Sequence, residues 1–237
     1  MRIAPFSNWG LATLGLLSMG VSSHAATILQ FGQANPSDFV TATAVGNTTT
    51  LTTSSGVAPN SIPILITNIA GAPLGSPLAA FETFVNLSSV GTATSTAGTI
   101  EQLYSGTIAI TTGANGTGGN FLTASFTNAV LTGLAGGNSA SLLDSRPPNN
   151  VTFTSNFAAI VPLIAGNPPE NFSIALTDVN PGLALSGSTI ASFTAQNAGG
   201  FATSIPEPAT GLALASIVVG LGCVRSRAGA RRSRNVG

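Results

Sequence analysis

Apolar and polar residues alternate with a period of two along most of the middle of this chain. In Val151-Thr152-Phe153-Thr154-Ser155-Asn156-Phe157, the residues Val151, Phe153 and Phe157 fall on one side, with Thr152, Thr154 and Asn156 on the other. Residues 172–178 and 104–110 follow the same rule. That period is the mark of a strand buried on one face. Less regular runs at 27–31, 39–45, 48–53, 64–69, 80–87, 121–131 and 190–195 predict further strands. Turn-forming clusters separate them, among them Gly113-Ala114-Asn115-Gly116, Gly136-Gly137-Asn138 and Asn180-Pro181-Gly182. About ten short strands with frequent turns predict an all-β body, a single antiparallel β-sandwich over residues 26–204. A parallel β-solenoid is the alternative, but no fixed repeat supports it. Gly199-Gly200 to Ser204 reads as a linker leaving the body.

Composition sharpens this picture. The 237 residues are 43% hydrophobic but only 6% charged, against about 25% charged in an average soluble domain. Gly 28 and Pro 14 argue against an all-α fold. Charge is also unevenly placed. Lysine is absent, and Arg225, Arg227, Arg231, Arg232 and Arg234 crowd the last stretch. Between the ends, Asp38, Glu82, Glu101, Asp144, Glu170 and Asp178 face Arg146 alone. Six acids against one base leave a mildly acidic body without the basic face that nucleic-acid binding needs.

Both ends read as targeting segments. Arg2, the apolar run 9–21 and the small residues around Ser23-His24-Ala25 predict a signal peptide over 1–25, cut after Ala25 or alternatively after Ala26. At the other end, Pro206-Glu207-Pro208 precedes the uncharged apolar run 209–224, and the five arginines follow. As a helix that run spans about 24 Å, somewhat short of the hydrocarbon core, and Arg225 and Arg227 extend it by snorkelling. The arginines mark the cytoplasmic side. Pro206 and Pro208 keep the approach extended, the backbone form that a processing enzyme binds.

The three-part arrangement over residues 205–237 resembles the PEP-CTERM sorting signal of certain Gram-negative bacteria. The resemblance implies a partner: an exosortase, a membrane-embedded cysteine transpeptidase-like enzyme that recognises and processes the signal. It also implies transient anchoring in the inner membrane, then delivery to the cell surface or extracellular matrix, in association with exopolysaccharide and biofilm. It covers the tail only and transfers no activity to the body.

The chemistry open to the body is narrow. His24 and Cys223, the only histidine and cysteine, lie in the two terminal segments. The body therefore lacks Ser-His-Asp and Cys-His machinery, His- or Cys-ligated metal, and lysine imine chemistry. Without cysteine it also has no internal disulfide, so its stability rests on core burial. No cofactor is expected. Glu82 and Glu101 are the candidate acid and base for glycoside hydrolysis, which needs two carboxyls about 5 to 9.5 Å apart. The plainer reading makes both solvent-facing strand charges that discourage edge pairing. Asp178-Val179-Asn180-Pro181-Gly182 resembles part of a calcium loop but lacks its remaining acidic ligands, so it reads as a turn. Asp144 and Arg146 are spaced for a local ion pair. Tyr104, Phe81, Phe84 and Phe121 read as core side chains, with a sugar-stacking platform as the alternative.

The expectation is thus a non-enzymatic surface or matrix protein. A carbohydrate-binding module is the second reading, and a carboxylate-only glycosidase the third.

Overall fold

The computed structural model describes residues 26–146, 150–165 and 170–204. These residues lie in one compact unit. In chain order they form β1 (Ala26–Gln33), β2 (Phe39–Val45), β3 (Thr48–Ser54), β4 (Ile62–Ile69), β5 (Ala72–Thr96), β6 (Thr99–Thr111) and β7 (Asn120–Leu134). There follow β8 (Ser139–Arg146), β9 (Asn150–Thr154), one helical turn α1 (Val161–Ile164), β10 (Glu170–Asn180), β11 (Leu185–Ser186), β12 (Thr189–Ile190) and β13 (Phe193–Ser204). The expected all-β, antiparallel body is what the chain forms. Among the described residues no helix is long and apolar enough to cross a membrane. The expected spanning segment at 209–224 lies outside the described residues.

Eleven strands make one sheet, and β11 with β12 forms a small separate hairpin. The large sheet closes on itself. The pairings run β1, β4, β5, β6, β7, β8, β10, β13 and back to β1. Strands β2 and β3 bridge β13 to β5 and complete a second circuit. The sandwich-like body is therefore one continuous sheet wrapped around its core. Closure leaves few unpaired edges.

Long strands make the wrapping possible by changing neighbours along their length. β5 pairs with β4 as far as Glu82, then meets β3 at residues 87–88. β13 pairs with β2 over 193–195 and with β1 from Gly200 onward. β7 takes β9 on one stretch and β8 on the next. Pro73 is tolerated in β5 because the opening residues of that strand pair with β4 alone, and β6 joins only at Phe81.

Alternation selects what faces inward. Val40 and Ala42 of β2, Ile62, Ile64 and Ile66 of β4, and Phe172, Ile174 and Leu176 of β10 are all buried. Phe172 packs against Phe126 and Phe153, with ring centroids 6.4 and 6.3 Å away. Each such Val, Ile, Leu or Phe side chain contributes about 1.5–3 kcal/mol on burial.

Three sequence expectations need correction. Gly199-Gly200 to Ser204 is not a linker: it is the second half of β13, paired with both β1 and β10. Gly200 lies under the Phe31 ring, where an added Cβ would sit 2.5 Å from Phe31 Cζ. The glycine there serves close packing, not flexibility. The run at 151–157 stops as a strand at Thr154, and Phe157 instead packs on Phe121 from the following loop, 4.8 Å between centroids. The run at 80–87 is one third of a 25-residue strand. Its two ends are set by Ala70-Gly71 and Ala97-Gly98, all at positive φ, which close tight hairpin turns to β4 and β6.

Candidate functional site

Glu82 is the most unusual side chain of the body. In β5 the inward set is Ala80, Glu82 and Phe84, so alternation carries the carboxyl into the interior, where it is fully buried. This overturns the expectation of a solvent-facing charge. Its neighbours across the strands are Ile62 of β4 and Ile110 of β6. Asn197 of β13 donates from Nδ2 to Glu82 Oε2, and Oε1 has no partner. Burial pushes the carboxyl pKa up to about 8, and the Asn197 hydrogen bond only partly offsets this. Glu82 is accordingly a neutral acid at pH 7.

A chain of amides holds this arrangement. Gln33 Oε1 accepts from the Asn197 backbone N–H at 2.7 Å, and Asn197 Oδ1 accepts from the Gly199 N–H at 2.9 Å. Gln33 Nε2 donates to the carbonyls of Asn35 and Asp38, the latter at 2.8 Å. Asp38 is buried as well, and its Oδ2 lacks a partner. The β1–β2 connection, β5 and β13 are thereby tied together through polar groups inside the sheet.

Glu101 is elsewhere. It is exposed on β6, paired with Thr94 and Thr132. Glu82 pairs with Ile110, nine positions further along that strand, which separates the two carboxyls by about 30 Å. The structure does not bring them together, and the separation exceeds what either glycosidase geometry allows.

A second buried polar group lies among β3, β6 and β12. Thr49 Oγ1 donates to the Ile190 carbonyl at 2.6 Å and lies 2.6 Å from Thr189 Oγ1. Gln102 Oε1 accepts from Thr189 Oγ1 at 3.1 Å and from the Ile190 N–H at 2.9 Å. These bonds dock the β11–β12 hairpin. Tyr104 is buried nearby and its phenol pKa is raised by burial; Thr49 opposes that shift, although no hydrogen bond of acceptable geometry reaches Oη.

The remaining candidates fall as follows. Tyr104, Phe84 and Phe121 are buried and Phe81 is half-buried. Tyr104, Phe84 and Phe121 belong to the core, and Phe81 lies on the other face of β5 from Glu82 and Phe84. Asp178 is exposed, and the chain turns after Asn180 as expected. Among the described residues there is no group of three or more His, Cys, Asp or Glu able to hold a metal ion. Asp144 and Glu170 are buried on neighbouring strands. The side chain of Arg146, and with it the expected Asp144–Arg146 pair, lies outside what is described. So do Ala25, Pro206, Glu207, Pro208, Arg225, Arg227, Arg231, Arg232 and Arg234, and the side chain of Ala26.

On the outer surface, β5, β6, β7 and β9 form a shallow groove of about 430 Å³. Its polar lining comes from Asn86, Ser105, Thr107, Ser125, Thr127 and Thr152, with no charged residue. It exists because the strands bulge side by side. Two residues of β5, Asn86 and Leu87, oppose Gly106 of β6, and two of β7, Thr127 and Asn128, oppose Ser105. Asn86 and Asn128 take positive φ there, at 52° and 68°. Bulges bend strands and raise local twist. Sequence reading missed this feature; its only trace is an Asn or Gly interrupting each alternating run.

Comparison with family models, curated proteins and solved structures gives no match to this chain.

Proposed function

We propose that this chain is an exported, non-enzymatic protein of the cell surface or extracellular matrix, sorted through its C-terminal tail by an exosortase. The inner membrane holds it only in transit, and its destination is an exopolysaccharide or biofilm layer. The observation that carries this reading is the three-part tail over 205–237, placed after a body whose described strands run from Ala26 to Ser204. Ala26 of β1 and Ser204 of β13 pair with each other at the limits of the described residues. A cut after Ala25 would leave every residue of β1 in place. Pro206-Glu207-Pro208 follows the last described sheet residue after a single intervening position. The body between has no His, Cys or Lys, and its carboxyls at Asp38, Glu82, Asp144 and Glu170 are buried.

A glycan-binding module is the second reading, favoured by the uncharged, hydroxyl-lined groove. The burial of Tyr104, Phe84 and Phe121 weighs against it, since it takes these candidate stacking rings into the core. Replacing Pro206, Glu207 and Pro208 together by alanine tests the sorting step. The variant is expected to stay full-length in the membrane fraction, with the body still folded. Release equal to that of the natural sequence would contradict the role given to the motif.

A further inference from the structure

Asn115-Gly116 is the one place in this chain where asparagine is followed by glycine. The pair sits at the tip of the β6–β7 connection. Asn115 has φ 57° and Gly116 has φ 72°, the two central positions of a tight turn. Thr117 N–H closes it by donating to the Ala114 carbonyl at 3.2 Å, and Gly113 N–H donates to the Thr117 carbonyl at 3.0 Å. Asn115 is exposed. A Cβ placed on Gly116 would meet nothing within 4 Å, so the surroundings of that residue are open. Ser61 steadies the asparagine from below. Its Oγ accepts from the Asn115 backbone N–H at 2.6 Å and donates toward Asn115 Oδ1 at the long distance of 3.5 Å.

We propose that Asn115-Gly116 is a self-modification site, at which Asn115 converts through a cyclic imide to aspartate and isoaspartate. The Gly116 amide nitrogen gives its proton to solvent and attacks Asn115 Cγ. A C–N bond forms there, and Nδ2 leaves as ammonia after taking up a proton. Water then adds to one of the two imide carbonyls. Opening at Cγ gives aspartate; opening at the main-chain carbonyl gives isoaspartate, with the peptide running through the side chain. The only co-reactant is water and no electrons move. The Ser61 hydroxyl, directed at Oδ1, polarises the carboxamide under attack.

Other asparagines lack this combination. Asn47 is also exposed in a hairpin turn, but Thr48 follows it, and a branched side chain shields the attacking nitrogen. The product matters to the body. Isoaspartate lengthens the turn backbone by one atom, which the two closing hydrogen bonds and the Ser61 contact do not accommodate. Ser61 Oγ also meets Thr83 Oγ1 at 2.8 Å in the interior, so the change reaches the strand that carries Glu82. An already acidic body gains one more negative charge.

The test follows Asn115 and Asn47 in the same sample of the full chain. The protein is incubated at physiological temperature over a series of mildly acidic to mildly alkaline buffers, its fold checked by circular dichroism throughout. Peptide mass mapping reads amide loss at each site, and an isoaspartyl methyltransferase reads isoaspartate. Asn115 is expected to lose its amide at least an order of magnitude faster than Asn47, faster as pH rises, with isoaspartate the main product. Asn115→Gln, whose longer side chain closes the ring poorly, is expected to remove the methyltransferase signal. An Asn115 amide that persists as long as that of Asn47, or an Asn115 found carrying a glycan, would overturn the proposal.

Discussion

Replacing Glu82 with glutamine is expected to flatten the pH dependence of stability and to stabilise the protein at neutral and alkaline pH. In the fold the carboxyl titrates at about 8, against 4.5 when unfolded. The unfolded chain therefore ionises first. Below 4.5 both states hold the proton and Glu82 costs nothing through ionisation. As pH rises from 4.5 to 8, only the unfolded state releases the proton, and stability falls throughout that window. The loss is about 3 kcal/mol at pH 7 and approaches about 5 kcal/mol above pH 8. Glutamine keeps an oxygen for Asn197 Nδ2 but leaves buried N–H groups unpartnered, at a cost of about 1–3 kcal/mol at every pH. The variant should thus be the less stable form in acid and the more stable one in base. Urea denaturation from pH 4 to 9 measures this directly. Parallel curves for the two proteins would contradict a protonated, buried Glu82.

Gly106→Ala is expected to lower stability by about 3–4 kcal/mol, a large effect for one methyl group. Gly106 has φ 154°, a conformation that side chains resist. An added Cβ would lie 2.7 Å from Leu87 Cα and 2.8 Å from the Asn86 carbonyl oxygen. Both are backbone atoms of the adjacent strand, so a rotamer change cannot relieve the clash. The β5–β6 pairing must open at the bulge where the sheet bends. Gly46→Ala is the control: it also changes a positive-φ residue, at 60°, but its Cβ would meet nothing within 4 Å. That substitution should cost only about 1 kcal/mol. Similar thermal midpoints for the two variants would show that the β5–β6 contact tolerates the methyl group.

The physics of these two sites also explains what sequence reading reached. Strands with an apolar set on one face, such as β2 and β10, announce themselves through alternation, and the run 39–45 coincides with β2. β8 carries no such signal, because its inward positions are Ala140, Leu142 and Asp144, and a carboxyl in the apolar register hides the pattern. Glu82 hid for the same reason. Its placement depends on Asn197, 115 residues away, and no local pattern reports such a partner. Hairpin turns with alanine in the left-handed region, Ala70 and Ala97, carry no Asn-Gly signal and left β5 looking short. The glycines at 199 and 200 looked like a flexible exit because sequence cannot show the Phe31 ring above them. The bulge-lined groove is a property of several aligned strands and is invisible in any one of them.

The intact mass of the protein recovered from its native host tests the sorting account most directly, read in membranes and in medium, with and without exosortase. The account predicts loss of residues 1–25 in both strains. It further predicts a new C-terminus near Pro206-Glu207-Pro208 only where exosortase is present. A chain that keeps its tail through Gly237 in the membranes of both strains would contradict it, and would make the protein a permanently anchored ectodomain.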